Sequence, residues 1–271
     1  MTFATPTGGT KTAPPLPQTR TAVQHKDRWR VPILDARDGG PADRLASRLS
    51  KCSPPTVFLS VILAGLAALA GISVALGLLV TNVLVNAWGI GGADERAEVW
   101  LAAHRSATRT DASLVGSILA GGVVLPIVAG LLVLALAALR HWRLAAFTIF
   151  ALGVESGAYR ITTLAVHRHR PEVARLESLP VNASYPSGHT AAAIAVYSGL
   201  VLLLTSRFRV RAFGVCAWTI AVALPAFVAI ARLYRGMHHP LDVAGGLVIG
   251  VLALVVVVFA CRTADAAAAA R

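Results

Sequence analysis

Six apolar runs, at residues 56–85, 113–139, 144–166, 189–205, 210–231 and 240–261, constrain this chain more than anything else in it. An α-helix rises ~1.5 Å per residue, so about 20 apolar residues cross a bilayer's hydrocarbon core. Each run is near or above that length, and 189–205 is the shortest. Charged residues make up only 14% of the chain against 56% hydrophobic ones, where an ordinary soluble domain carries about 25% charged. The expected fold is therefore all-α: a polytopic membrane helical bundle over residues 55–262, with about six transmembrane helices.

The flanks read differently. Residues 1–54 are rich in Pro, Thr, Arg and Asp, include Pro14-Pro15-Leu16-Pro17 and Asp38-Gly39-Gly40-Pro41, and show no sustained apolar period. That composition predicts a disordered or loosely ordered basic tail. It is too polar and too long to be a cleavable signal peptide, so 56–85 reads as an uncleaved anchor. Residues 263–271, with the Ala266–Ala270 tract, read as a low-complexity C-terminal tail.

Net charge is +12, and its distribution carries the information. With a cytoplasmic N-terminus, sixteen Lys and Arg residues fall on cytoplasmic segments and eight on external ones, with Arg160 inside a span. The positive-inside rule thus predicts a multi-pass plasma-membrane protein with both termini in the cytoplasm. Basic charge on loops beside membrane helices argues against a nucleic-acid partner. Cys52, Cys216 and Cys261 show no metal-ligand spacing, so neither a disulfide nor a metal site is expected.

Three polar clusters stand at the edges of the oily runs: His167-Arg168-His169-Arg170-Pro171, Pro186-Ser187-Gly188-His189, and Arg232 through His238 to Asp242. Unpaired charge in such places is costly and defaults to a functional-site hypothesis. The predicted topology places all three on the extracytoplasmic face, though nothing in their selection required it. Ser187 is a natural N-cap, Gly188 permits close approach to the backbone, and helix N-termini favour phosphate. Asp242 falls in the first turn after Pro240, where it could accept a hydrogen bond from one nitrogen of His238 and leave the other nucleophilic. The residues alone do not separate His238 from His239. Arg170 offers a planar grip on phosphate oxygens, whereas Arg168 and Arg175 read as arginines snorkelling at the membrane edge. Arg160, inside a span, needs an anionic partner, either substrate phosphate or Glu155. In the first connection, Glu95, Glu98, Trp100, Leu101 and His104 suggest a short amphipathic helix, most simply a plain connector.

These clusters resemble the signature of the type 2 phosphatidic acid phosphatase family, which shares its site with the vanadium haloperoxidases: K-x6-R-P, then P-S-G-H, then S-R-x5-H-x3-D. The second motif is complete at Pro186–His189, and the third matches Arg232, His238 and Asp242, with Ala231 in place of serine. The first matches only at Arg170-Pro171, its lysine falling on Thr163. The resemblance implies His238 as nucleophile, Asp242 as its orienting partner and His189 as the acid that protonates the leaving group. It implies that Arg170, Arg232, Ser187 and Gly188 hold the phosphate oxygens, and that no metal or other cofactor takes part. Arg160, one turn from Thr163, is the expected substitute for the missing lysine. The activity so implied is an integral membrane phosphatase cleaving a lipid phosphate or pyrophosphate through a phosphohistidine, among membrane lipids at the extracytoplasmic face. The alternative is a catalytically impaired lipid-phosphate-binding protein of the same fold.

Overall fold

The computed structural model describes residues 31–178, 183–208 and 210–271; the first 30 residues of the expected tail lie outside it. Ten α-helices are present among the described residues. A short α1 (Pro41–Arg48) precedes α2 (Pro54–Leu78), which continues in wide π-helical turns through Ala87. Next come α3 (Gly91–Ala103), α4 (Ala107–Leu119), α5 (Val124–Ala138) and α6 (Trp142–Ala165). The fourth span starts as α7 (Gly188–Ala193), widens into π turns over Ile194–Ser198 and ends as α8 (Gly199–Arg207). The last two spans are α9 (Arg211–Tyr234) and α10 (Pro240–Ala269).

Five of these segments are long and apolar enough to cross a membrane, and six if α4 and α5 count as one span bent by 41°. The bend falls at Ala120–Val123, where Gly121 and Gly122 interrupt the apolar run. Leu63, Leu131, Leu134, Leu164 and Val222 stand exposed around the outside, a surface that suits lipid rather than water. Inside, α10 packs along α2, α6 and α7, through a core that includes Leu69, Phe147, Val154, Ile249 and Val257.

One close approach sets the position of everything that follows. A side chain at Gly246 would collide with the carbonyl of Ser187, and one at Gly245 would lie 2.5 Å from the Tyr185 ring. Small residues at helix interfaces let backbones touch in this way. The Gly245-Gly246 pair therefore lets segment 184–187 lie directly on the first turn of α10.

Both flanks are more ordered than composition suggests. Residues 31–53 do not behave as a loose tail: Leu34, Ala42 and Ala46 are buried, and α1 packs on α10. The Arg262 guanidinium donates to the Ile33 carbonyl at 2.8 Å, and Asp265 accepts the Ala36 N–H at 2.9 Å. The alanine tract extends α10 to Ala269, with Ala266 and Ala267 buried against this segment. A helix of eight residues is too short to register as an apolar period, and alanine repeats are strong helix formers. Tertiary contact supplies the rest.

Candidate active site

The three polar clusters converge at one end of the bundle, and α10 organises them. Pro240 opens the helix, and the Asp242 carboxylate closes its first turn by accepting the His239 backbone N–H at 2.8 Å. Asp242 is fully buried. Its Oδ1 takes a guanidinium N–H of Arg168 at 2.5 Å, and its Oδ2 takes the Ser184 hydroxyl. Arg168 in turn pairs with Asp94 of α3, so one arginine bridges two carboxylates in an almost water-free setting. Arg168 is thus not a snorkelling arginine. A snorkelling side chain keeps its head group in water, and this one is only 7% exposed.

His238 and His239 are sorted by their partners. His239 has both ring nitrogens facing carboxylates, Nδ1 toward Asp242 at 3.3 Å and Nε2 toward Glu95 at 3.1 Å. His238 points into a cavity, and its Nδ1 lies 2.7 Å from the Ser184 carbonyl. A carbonyl only accepts, so Nδ1 carries the proton and Nε2 keeps the lone pair. Burial pushes the His238 pKa well below its ordinary value, with Arg170, Arg232 and His189 adding to the shift and Asp242 opposing it. The ring is therefore neutral at pH 7.

The orienting partner differs from the expected one. Asp242 stands 3.9 Å from His238 Nδ1, beyond hydrogen-bond range. The carboxylate instead holds the Ser184 hydroxyl, and Ser184 holds His238 through its carbonyl while its N–H donates to the Arg168 backbone carbonyl at 2.7 Å. Asp242 acts on His238 one residue removed. Ser184 lies outside the motifs, and no local spacing announces it.

The cavity has a volume of about 460 Å³ and is bounded by the α4–α5 bend, α6 and the start of α7. His189 and His238 share it with Tyr159, Ser156, Glu155 and Gly188. Gly188 has a packing reason as well as a chemical one, since a Cβ there would sit 2.9 Å from the Tyr159 ring. A larger groove of about 670 Å³ along α9 and α10 is almost wholly apolar and contains neither histidine. Chemistry singles out the smaller cavity.

Of the residues expected to hold phosphate, only Gly188 lines the cavity. Arg232 is wholly buried, and it donates to Ser117 and, at 2.6 Å, to Glu177. Its Nε and Nη2 are buried without a partner. Two orphaned nitrogens on one guanidinium are costly and suit an incoming anion. Arg170 donates to the carbonyls of Met237 and, at 3.2 Å, Ala183, which ties it to the backbone on both sides of the histidines. The Ser187 hydroxyl is fully buried and pairs with Thr190 at 2.9 Å, while its N–H donates to the Asp242 carbonyl. It shapes the loop rather than lining the cavity. Arg160 is exposed and does not reach the cavity. Buried Thr163 donates its hydroxyl to the Arg160 backbone carbonyl at 2.9 Å, and it too is absent from the cavity lining.

Four acids complete the site end, and sequence patterning did not assign them to it. Glu177 pairs with Arg232 and Arg235. Burial alone would raise its pKa, but the Arg232 hydrogen bond and charge, with Ser117 and Arg235, hold it at about 2. On α3, Asp94 and Glu95 reach Arg168 and His239, and Asp94 also accepts the Leu241 N–H. Glu98 is pushed up to about 8 by burial and by its neighbours Asp94, Glu95 and Asp242. Helix α3 therefore braces the site through Arg168, His239 and Leu241 rather than serving as a plain connector. Among the described residues no three His, Cys, Asp or Glu side chains are grouped to hold a metal ion.

This helical bundle shares its fold with a solved transmembrane protein. The crystal structure of the transmembrane PAP2-type phosphatidylglycerolphosphate phosphatase from Bacillus subtilis superposes with a TM-score of 0.61 at 22% identity, covering 71% of this chain and 93% of that one. Residues 142–264 match the model of the PAP2 superfamily. An undecaprenyl-diphosphatase of Sulfolobus acidocaldarius is 40% identical over 75 residues, which are 28% of this chain and 32% of that protein. Human sphingosine-1-phosphate phosphatase 2 is 37% identical over 86 residues, 31% of this chain and 21% of that protein. The chain thus spans about a third of one curated relative and a fifth of the other.

Proposed function

We propose that this protein is a membrane phosphatase that removes phosphate from a lipid phosphate or pyrophosphate through a phosphohistidine, without a metal, at the extracytoplasmic face. The observation that carries the reading is the His238 geometry. A neutral, buried imidazole with Nδ1 tied to a carbonyl presents the lone pair of Nε2 into a cavity that a second histidine shares. Attack of Nε2 on phosphorus forms the N–P bond as the P–O bond to the lipid breaks. His189, on the opposing helix start, gives its proton to the departing oxygen. Charge on the phosphoryl oxygens is met by Arg232, whose two unpartnered nitrogens await an anion, and by Arg170 and the Gly188 N–H. Water then attacks the phosphohistidine, with His189 taking up the proton. Asp242, Ser184 and Arg168 hold the nucleophile in register.

The external assignment of the site rests on the positive-inside count and on the convergence of all three clusters at one end. The names of the relatives support phosphorylated lipids as the substrate class.

The test is phosphate release from a panel of lipid phosphates and polyprenyl diphosphates by detergent-purified protein. Wild type releases phosphate, His238→Ala loses activity by more than about 10³-fold, and His239→Ala retains more activity than His238→Ala. Lipid-phosphate binding without release by wild type would instead favour a binding protein of the same fold.

A further inference from the structure

The proposed mechanism leaves one buried acid on the cavity wall unused. Glu155 lies on α6 and is only 1% exposed. Its Oε2 accepts the Ser156 hydroxyl at 3.0 Å, while its Oε1 is buried with no partner. The wall around it is apolar, formed by Leu125, Pro126, Leu152 and Ala192. A carboxyl group in such a setting carries a desolvation cost that only a hydrogen-bond partner offsets.

Depth fixes what that partner can be. Tyr159 touches Gly188 at the phosphate-binding end of the cavity. Glu155 is four residues earlier on the same helix face, about 6 Å further from the site end at a rise of ~1.5 Å per residue. Phosphate held near Gly188 and His189 therefore leaves the first carbons of the alcohol portion level with Glu155. With Oε2 already satisfied, the open oxygen needs a donor.

We propose that Glu155 is a specificity-determining residue that accepts a hydrogen bond from a hydroxyl or ammonium group on the carbon next to the phosphate ester carbon. The preferred substrates are then lipid phosphates with such a donor, not phosphates of bare hydrocarbon alcohols. This deepens the phosphatase reading and rests on it. A bare chain would leave Glu155 without a partner in the complex, and a site built around a hydrogen bond discriminates strongly against analogues that lack it.

The experiment compares kcat/KM for three substrates of equal chain length in detergent. They are a lysophosphatidate with a free hydroxyl, a sphingoid-base phosphate with an ammonium, and an alkyl phosphate with neither. Wild type prefers at least one donor-bearing substrate over the alkyl phosphate by about tenfold or more, the range expected when a buried polar group is otherwise left without a partner. The first two arms distinguish hydroxyl from ammonium as the group recognised. In Glu155→Leu that preference falls by at least about tenfold, through loss on the donor-bearing substrate. Equal turnover of all three by wild type overturns the proposal whether or not any variant folds, as does a preference unchanged in Glu155→Leu. Release from none of the three, nor from any lipid of the wider panel, overturns the phosphatase reading itself.

Discussion

The bundle carries ion pairs at both ends, and the two ends are built on opposite terms. At the end that holds the histidines, Arg168 bridges Asp94 and Asp242 with side-chain exposures of 7%, 3% and 0%. At the other end Arg143 pairs with Asp35 and Asp265, all at 3.3 Å, and is itself 45% exposed. The exposed pairs fasten the N-terminal segment to α10, and water could replace either partner at little cost. The buried triad offers no such replacement, because each charge removed strands another in a medium that cannot solvate it. Fastening a segment does not require that expense. Holding Asp242, Ser184 and His238 in one register does, because the position of a nucleophile tolerates little slack.

Breaking the comparison at its expensive end gives the largest effect. Arg168→Leu leaves Asp94 and Asp242 buried without their shared cation and destabilises the protein by about 3–5 kcal/mol, read as a loss of melting temperature in detergent. The same substitution lowers kcat, because Asp242, which holds the Ser184 hydroxyl, loses the guanidinium that fixes its carboxylate.

The next effect sharpens the contrast through pH. Glu98 has its pKa raised from 4.5 to about 8 in the folded protein. Between those values the folded state holds a proton that the unfolded state has released, so the group's contribution to stability falls as pH rises through that window. Glu98→Gln therefore becomes progressively more stable than wild type from pH 4.5 to pH 8, measured as a widening gap in melting temperature. Glu177 has the opposite sign. Its folded pKa of about 2 lies below its ordinary 4.5, so its stabilisation is complete above pH 4.5 and is lost as pH falls toward 2. In Glu177→Gln, the acid destabilisation of wild type over that window is reduced.

The smallest effect is expected at the exposed end. Arg143→Ala costs no more than about 1 kcal/mol and leaves phosphate release unchanged. A loss as large as that of Arg168→Leu would show that the two ends are not built on different terms after all.

Different parts of this molecule were legible in the sequence to different degrees, and the reasons are physical. Spans follow from apolar length, because a bilayer imposes one dimension on every crossing helix. The convergence of His189, His238, Arg170 and Arg232 was legible too, since alternating helices return to the same end. Rotation about a helix axis was not. Whether Arg160 or Tyr159 faces the cavity depends on how α6 packs against its neighbours, and one position of offset turned a candidate ligand outward. The role of Asp242 was half legible: its place in the first turn of α10 was expected, but the bend that brings Ser184 between it and His238 comes from the contact of segment 184–187 with Gly245-Gly246. Arg168 misled for a related reason, because its partner Asp94 sits in a connection whose acids look like ordinary solvated charge. The helix over Pro41–Arg48 was too short to stand out from a polar tail.

The central claim is that His238, and not His239, forms the bond to phosphorus. The most direct measurement is to react the purified protein briefly with a phosphorylated lipid, quench under alkaline conditions that preserve phosphohistidine, and map the phosphate by mass spectrometry. Phosphate on His238, absent in His238→Ala and present in His239→Ala, is the predicted result. Phosphate on His239, or steady release with no phosphohistidine at any quench time, would contradict it.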